Sequence, residues 1–136
     1  MKLLGIDVGR NGAWCFGTET GLLKYKKNNS LVEYKQEIQE LIEKYSPDAI
    51  VVGKPTMRFN TLRVHWILIS IVHLCAEIAQ IEAHEVLDKS IKKIVTGNGK
   101  SDKDEVLKWA TPFIGEVTHD EADAYMFTVG YPLSVK

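Results

Sequence analysis

The chain opens with a short apolar run, Leu3-Leu4-Gly5-Ile6-Asp7-Val8-Gly9, in which an aspartate stands two residues before a glycine. The run is hydrophobic enough to lie inside a sheet, so we expect a central first strand over residues 2–8. A central strand carries its last side chain to the middle of one sheet edge. The pattern therefore predicts that the Asp7 carboxylate lies at that edge.

The segments that follow predict two more antiparallel strands and then alternating helices and strands. Ser30 is the expected cap of the first helix, and Ser101 that of a later one. Gly53 and Pro55 are expected to end the fourth strand, the apolar run over 49–52. Residues 88–92 are expected to form only a short helical turn. We therefore expect an α/β fold with a five-stranded mixed sheet, three antiparallel strands followed by parallel ones, and helices on both faces. The remaining expected elements are strands over 13–17, 21–26, 49–52 and 83–87 and helices over 31–45, 61–80, 102–111 and 119–130.

Composition limits the function classes. With 136 residues, 45% of them hydrophobic and 26% charged, the chain has the make-up of one globular domain, 1–136. Lysine and arginine number 17 against 18 acidic residues, so no overall positive field attracts nucleic acid, and such contacts must come from local patches. Two cysteines, Cys15 and Cys75, are too few for a disulfide scaffold.

The chain carries no pattern of membrane insertion or export. The long apolar stretch over 64–81 is interrupted by His65, His73, Glu77 and Gln80, which favours a buried helix over a membrane span. Residues 1–2 lead straight into the first strand, without the pattern of a signal peptide. We expect a cytoplasmic protein.

A second acidic group lies near the other end of the chain. Asp120 and Asp123 are spaced three apart at the start of a helical pattern, so both carboxylates lie on one helix face. If the fold brings Asp7 to this helix, three hard oxygen ligands converge. Ionised carboxylates that lie so close together repel each other unless a cation lies between them. The three aspartates therefore predict bound Mg²⁺ or Mn²⁺. Taken singly, Asp7 is also typical of a strand-end turn, and Asp120 of a helix start.

Four segments together resemble one protein family, the RuvC group of Holliday junction resolvases, which have a ribonuclease H-like fold. They are Gly5-Ile6-Asp7-Val8-Gly9, the stretch 45–52 (Tyr-Ser-Pro-Asp-Ala-Ile-Val-Val), the stretch 97–103 (Gly-Asn-Gly-Lys-Ser-Asp-Lys) and the stretch 119–124 (His-Asp-Glu-Ala-Asp-Ala). They follow in the family's order and cover nearly the whole chain.

The resemblance implies a homodimer that uses Mg²⁺ to cut four-way DNA junctions. It implies that Asp7, Asp120 and Asp123 are the catalytic residues and metal ligands. Lys100 and Lys103 would approach DNA phosphates, and the helix over 61–80 would form the dimer interface.

One position departs from the family pattern. Gly53 stands where the family has a glutamate, and Val51-Val52-Gly53-Lys54-Pro55 is similar instead to a strand of the related YqgF group. Either another acid replaces the glutamate, with Glu121 or Glu82 as candidates, or metal binding is weaker.

Further residues are candidates for contacts with DNA. Glycines at 97 and 99 precede a helix N-terminus beside Lys100 and Lys103, an arrangement that suits an anion but is also typical of a surface turn. Arg58, Phe59 and Arg63 suit a loop that stacks on unpaired bases, or else form a helix entry. We also place Lys54 among the DNA-binding residues.

His119, beside Asp120, is a candidate proton donor, or else a neighbour of the helix N-cap that takes part in no chemistry.

The helix over 61–80 is apolar on nearly every side. A surface helix normally shows a polar back, so the excess predicts a second buried face at a dimer interface, or else a helix wholly buried in the monomer.

The function we expect is a metal-dependent, structure-selective endonuclease that resolves four-way DNA junctions. The alternatives are a RuvC-like protein that binds junctions or other nucleic acids without cleavage, and a YqgF-like ribonuclease.

Overall fold

The computed structural model describes residues 1–25, 30–55 and 62–135. Within these residues, ten elements follow one another. The strands are β1 (Leu3–Asp7), β2 (Gly12–Phe16), β3 (Glu19–Leu23), β4 (Ala49–Lys54) and β5 (Glu82–Leu87). The helices are α1 (Leu31–Tyr45), α2 (Leu62–Ala79), α3 (Asp88–Thr96), α4 (Lys103–Ile114) and α5 (His119–Ser134).

The strands form one mixed sheet with the order β3-β2-β1-β4-β5. β2 pairs antiparallel with both β1 and β3, whereas β4 pairs parallel with both β1 and β5. The predicted α/β fold and its five-stranded mixed sheet are confirmed, with β1 at the centre. Because β1, β4 and β5 run in the same direction, their carboxyl ends lie at one edge of the sheet.

Helices cover both faces of the sheet, so alternate residues of the central strands face two different cores. On one face, α1 and α2 pack over a buried cluster that includes Leu4, Ile6, Ile50, Val52, Ile38 and Val72. On the other face, α3, α4 and α5 pack over a cluster that includes Leu3, Val51, Ile91, Val106, Met126 and Phe127. Burial on both faces explains the continuous apolar run of β4.

Two strands differ from their predicted bounds by two residues or more. β3 begins at Glu19, so the predicted five-residue connection is a two-residue turn, and Gly17 supplies the positive φ of 63° that the turn requires. The prediction that Gly53 ends the fourth strand is wrong. β4 continues through Lys54 because β5 offers backbone partners there, Val86 for Gly53 and Leu87 for Lys54.

The helices after β5 also differ from the prediction. α3 is a nine-residue helix rather than a short turn, and its Ile91 is buried against α5 and α4. The side chain of Asp102, not of Ser101, caps α4 by accepting a hydrogen bond from the Glu105 amide. Ser101 is buried and contacts Thr96 instead.

The first and last helices begin where predicted. Ser30 caps α1 by accepting a hydrogen bond from the Glu33 amide at 3.1 Å. α5 starts at His119 and extends beyond the predicted end at residue 130 to Ser134. In the described part of the chain, no helix combines the length and apolar character that a membrane span requires.

Candidate functional site

Three aspartates from the two ends of the chain meet at one edge of the sheet. Asp7 is the last residue of β1, and Asp120 and Asp123 lie in the first turns of α5. One carboxylate oxygen of each lies within 4.8 Å of the others. The convergence expected from the sequence is therefore present in the structure.

The close approach of α5 to β1 depends on a residue without a side chain. A Cβ atom at Gly5 would overlap the carbonyl oxygen of Ala124 and lie 2.7 Å from a methyl group of Thr128. Gly5 thus lets the backbone of α5 rest directly on β1, which places Asp120 and Asp123 beside Asp7. The sequence contains this signal in the two small residues, Gly5 and Ala124.

A capping box fixes where α5 begins. The hydroxyl of Thr118 accepts a hydrogen bond from the amide of Glu121, and the carboxylate of Glu121 accepts one from the amide of Thr118. A defined first turn holds Asp120 and Asp123 on the face directed at β1.

The crowded carboxylates hold protons strongly. Burial, and then the charges of Asp123 and Asp120, raise the pKa of Asp7 well above its ordinary value. Burial, followed by the charge of Asp88, raises the pKa of Asp123 to about 7. Such shifts are expected where several carboxylates share a buried site. A divalent cation would remove the repulsion.

The aspartates line an open cleft of about 580 Å³. Three cationic side chains, of Arg10, Lys54 and Lys103, line it as well. A cleft lined by both carboxylates and cations suits a phosphodiester that is bound to a metal. The full lining is Asp7, Val8, Gly9, Arg10, Asn11, Gly53, Lys54, Pro55, Val64, His65, Asp88, Lys103, Asp120, Asp123 and Phe127.

The residues present fit a hard divalent cation. Three carboxylates within 4.8 Å provide oxygen ligands on one side, and the open cleft leaves the other side for water and a phosphate, as Mg²⁺ and Mn²⁺ require. The geometry and charge of the three aspartates suit a divalent cation.

The structure adds one acidic residue that the sequence analysis missed. Asp88, the first residue of α3, lines the same cleft and forms an ion pair with Lys92 at 2.9 Å. A sequence signal existed, because Asp88 directly follows β5 just as Asp7 ends β1, and parallel strands end at the same edge. Arg10 and Asn11, in the turn after β1, were missed too.

The two glutamates proposed as replacements lie elsewhere. Glu121 accepts hydrogen bonds from Thr20 and Thr118, which outweigh the effect of burial and lower its pKa. It is not in the group of three that the described residues form. Glu82 starts β5, at the opposite edge of the sheet, and contacts His84 at 3.1 Å. Neither residue is brought to the triad.

The His119 side chain contacts Asp104 rather than one of the three aspartates. Its Nε2 atom lies 3.0 Å from a carboxylate oxygen of Asp104 in α4, and among the described residues it is not part of the cleft lining. Its role as a proton donor stays a prediction.

Of the predicted DNA-binding residues that the structure describes, only some line the cleft. Lys54 and Lys103 line the cleft, and Arg63 is exposed just before two lining residues, Val64 and His65. Lys100 is exposed in the turn before α4, where its amide donates to the side chain of Asn98. Arg58 and Phe59 lie outside the described residues.

α2 has the two apolar faces that its sequence suggested. One face is buried through Leu68, Ile69, Val72 and Cys75. The alternative of a helix wholly buried in the monomer is excluded, because large apolar side chains on the other face are exposed. They are Trp66, Ile67, Leu74 and Ile78.

Comparison with known proteins agrees with this geometry, although no protein-family model matches the chain. The chain is 27% identical to the crossover junction endodeoxyribonuclease RuvC of Brachyspira hyodysenteriae, over 96% of this chain and 93% of the relative.

Solved structures share the fold. RuvC of Thermus thermophilus matches with a TM-score of 0.76 at 17% identity, over 99% of this chain and 97% of that one. The same protein in complex with a Holliday junction substrate gives 0.74 at 18% identity, over 99% and 96%. The Holliday junction resolvase of fowlpox virus gives 0.58 at 14% identity, over all of both chains. In sequence along nearly its whole length, and in its ribonuclease H-like fold, this chain is similar to the RuvC-type Holliday junction resolvases.

Proposed function

We propose that this chain is a metal-dependent, structure-selective endonuclease that resolves four-way DNA junctions. The observation that carries the proposal is the triad of Asp7, Asp120 and Asp123, whose oxygens lie within 4.8 Å of one another in an open cleft. It is supported by the similarity to RuvC of Brachyspira hyodysenteriae and by the likeness to a RuvC structure that holds a junction. We further propose a cytoplasmic location, where a protein that acts on DNA would meet its substrate.

The three aspartates are the proposed ligands of Mg²⁺ or Mn²⁺. When bound there, the metal lowers the pKa of a water molecule and neutralises charge on the leaving 3′-oxygen. The chain's own part is to hold the carboxylates in place. The rigid end of β1 fixes Asp7, and the capped first turn of α5 fixes the other two.

Cations around the cleft are the proposed contacts to the DNA backbone. Arg10, Lys54 and Lys103 line the cleft and would bind phosphates on either side of the scissile bond. Lys103 is the first residue of α4, so the backbone amides of that helix start add to its attraction for a phosphate. Lys100 and Arg63, which do not line the cleft, are also proposed to contact the DNA. Arg58 and Phe59, outside the described residues, stay proposed DNA contacts from the sequence.

The exposed face of α2 is the proposed dimer interface. Ile67, Leu74 and Ile78 recur at helical spacing on one side of the helix, with Trp66 beside them. A stripe of large apolar side chains is unfavourable in water and suits burial against a second copy. A junction with two-fold symmetry needs two cleavage sites, and a two-fold dimer supplies them.

A cleavage assay on a synthetic four-way junction tests the proposal. With Mg²⁺ we expect paired nicks in two opposite strands, and with Ca²⁺ binding without cleavage. Asp7→Asn should abolish cleavage and leave junction binding intact, because the substitution keeps the side-chain shape and removes one ligand charge. Glu116→Gln, at an exposed position between α4 and α5, is the control for charge.

Two results would favour another function. Tight junction binding with no product in any divalent metal would indicate a binding protein that has lost cleavage. Preference for single-stranded RNA over junctions would indicate a YqgF-like ribonuclease. Unchanged cleavage by Asp7→Asn would remove Asp7 from the mechanism.

A further inference from the structure

Asp88 is placed at the triad by the register of the sheet. β4 and β5 pair in parallel, with Lys54 opposite Leu87, so the residue after Leu87 emerges at the edge where β1 ends with Asp7. That residue is Asp88, and it lines the same cleft as the three aspartates.

β4, which lies between β1 and β5, cannot supply an acid to this edge. The strand contains no acidic residue. A Cβ atom at Gly53 would overlap the aromatic ring of Phe127, which is 2% exposed. A carboxylate at position 53 would therefore displace a packed ring of the core, so any additional acid at this edge has to come from another element.

Lys92 holds a positive charge beside Asp88. The Lys92 side chain is 16% exposed, and its ammonium lies 2.9 Å from the Asp88 carboxylate. Burial acts to lower the Lys92 pKa, but the contact with Asp88 and the charges of Asp123 and Asp7 raise it. In turn, after burial itself, the charge of Asp88 is the strongest influence on the pKa of Asp123. Asp88 lies outside the group of three whose oxygens are within 4.8 Å of one another, but it lines the same cleft, and its charge and that of Lys92 act on Asp123.

We propose that Asp88 is a fourth carboxylate ligand of the metal site and that Lys92 is its counter-ion in the metal-free protein. The inference rests on the proposed metal-dependent function and adds a residue to that same site. When a divalent cation binds, the Asp88 carboxylate exchanges the Lys92 ammonium for the metal. Lys92 is then a competitor of the metal rather than a support for it.

A purely structural role for Asp88 makes a different prediction. Asp88 lies in the first turn of α3 and pairs with Lys92 one turn later, an arrangement that stabilises a helix by itself. If stabilising α3 were its whole role, removing either partner would disturb the site equally. If Asp88 is a ligand, removing Asp88 weakens metal binding, whereas removing Lys92 leaves it unchanged or strengthens it.

Direct measurement of Mn²⁺ binding separates the two roles. The full chain is titrated with Mn²⁺ and the free ion is followed by electron paramagnetic resonance, for the wild type, Asp88→Asn and Lys92→Gln. Asp48→Asn is the matched control, because Asp48 is exposed and precedes β4 at the opposite edge of the sheet. Thermal unfolding in EDTA shows that each variant is folded.

We expect Asp88→Asn to raise the Kd for Mn²⁺ by about tenfold or more. Lys92→Gln should bind as tightly as the wild type or more tightly, and Asp48→Asn should match the wild type. A Kd of Asp88→Asn within twofold of the wild type would overturn the inference and leave the proposed function standing. So would a Lys92→Gln variant that loses as much affinity as Asp88→Asn. Absence of Mn²⁺ binding by the wild type would overturn both. Should Asp88→Asn fail to fold, Lys92→Gln decides by itself, because weaker binding contradicts the inference and equal or tighter binding supports it.

Discussion

Replacing Asp7 with asparagine should stabilise the metal-free protein and abolish its stabilisation by metal. Asp7 is flanked by Asp120 and Asp123 within 4.8 Å, and each neighbouring charge that acts on it raises its pKa. The protonated form of Asp7 is hydrogen-bonded to Asp120. An asparagine amide donates the same hydrogen bond without the charge, so the substitution preserves the contact and removes the repulsion.

The size of the effect follows from Coulomb's law. Two unit charges at the 4.8 Å limit repel by about 3 kcal/mol at an effective dielectric constant of about 20. Protonation and water already relieve part of this repulsion, so we expect a net gain of about 2 kcal/mol in the free energy of unfolding at about pH 8. For a chain of 136 residues, that gain corresponds to a rise in Tm of roughly 6 °C.

With Mg²⁺ bound, the wild type should become more stable than Asp7→Asn, the reverse of their order in the metal-free state. At a Mg²⁺ concentration of about 100 times its Kd, the wild type gains about 2.7 kcal/mol, whereas the variant that lacks a ligand gains little. Thermal unfolding followed by circular dichroism, in EDTA and in Mg²⁺, measures both effects, with Glu116→Gln as the charge control. If Asp7→Asn were no more stable than the wild type in EDTA, or gained as much from Mg²⁺, the aspartates would not form a repulsive metal site.

The remaining predictions concern packing, DNA contact, pH and assembly. Gly5→Ala should lower the free energy of unfolding by about 1–3 kcal/mol and weaken Mn²⁺ binding, because the new methyl group forces α5 away from β1. Lys103→Ala should weaken junction binding on all sequences and reduce the salt dependence by about one phosphate contact, as seen in binding titrations across salt concentrations. The metal-free protein should lose stability as pH rises from about 4 to about 7, because the folded state keeps the Asp123 proton that the unfolded chain releases near its ordinary pKa of 3.8. Ile78→Asp should convert a dimer into monomers in sedimentation experiments, because it places a charge in the apolar stripe of α2.

Each of these predictions has a result that contradicts it. Gly5→Ala with wild-type Mn²⁺ affinity would show that the distance between α5 and β1 does not limit the site. An unchanged salt dependence for Lys103→Ala would place that residue away from the phosphates. Stability that increases from pH 4 to 7 in EDTA would mean that Asp123 is ionised in the folded metal-free protein. A wild-type protein that sediments as a monomer at high concentration would leave the exposed face of α2 unexplained.

The sequence was sufficient to predict the centre of the fold and of the candidate site. Residues 3–6 form an apolar, strand-like run that ends at Asp7, and the spacing of Asp120 and Asp123 defines one helix face. The local pattern therefore determines the first strand and the acidic face of the last helix. The small residues Gly5 and Ala124 lie where the last helix, α5, rests on the first strand, β1. These features depend on local periodicity and size, which a single sequence displays directly.

The features that the sequence did not reveal depend on contacts between distant segments. Gly53 was expected to end a strand, but its partner across the sheet, Val86, extends that strand. Asp88 was overlooked because its neighbourhood is defined by the pairing of β4 with β5 and by its contact with Lys92. Glu121 was proposed as a ligand, although Thr118 and Thr20 hold its carboxylate away from the triad. Pattern and propensity say little about such tertiary partners.

The central claim is that aspartates from the two ends of the chain bind one divalent cation. Anomalous diffraction from crystals soaked in Mn²⁺ tests it most directly. We predict a strong anomalous peak at about 2.0–2.4 Å from oxygens of Asp7, Asp120 and Asp123, the range of hard-metal coordination. An ordered cleft with no peak at saturating Mn²⁺, or a peak bound only by residues outside this triad, would contradict it.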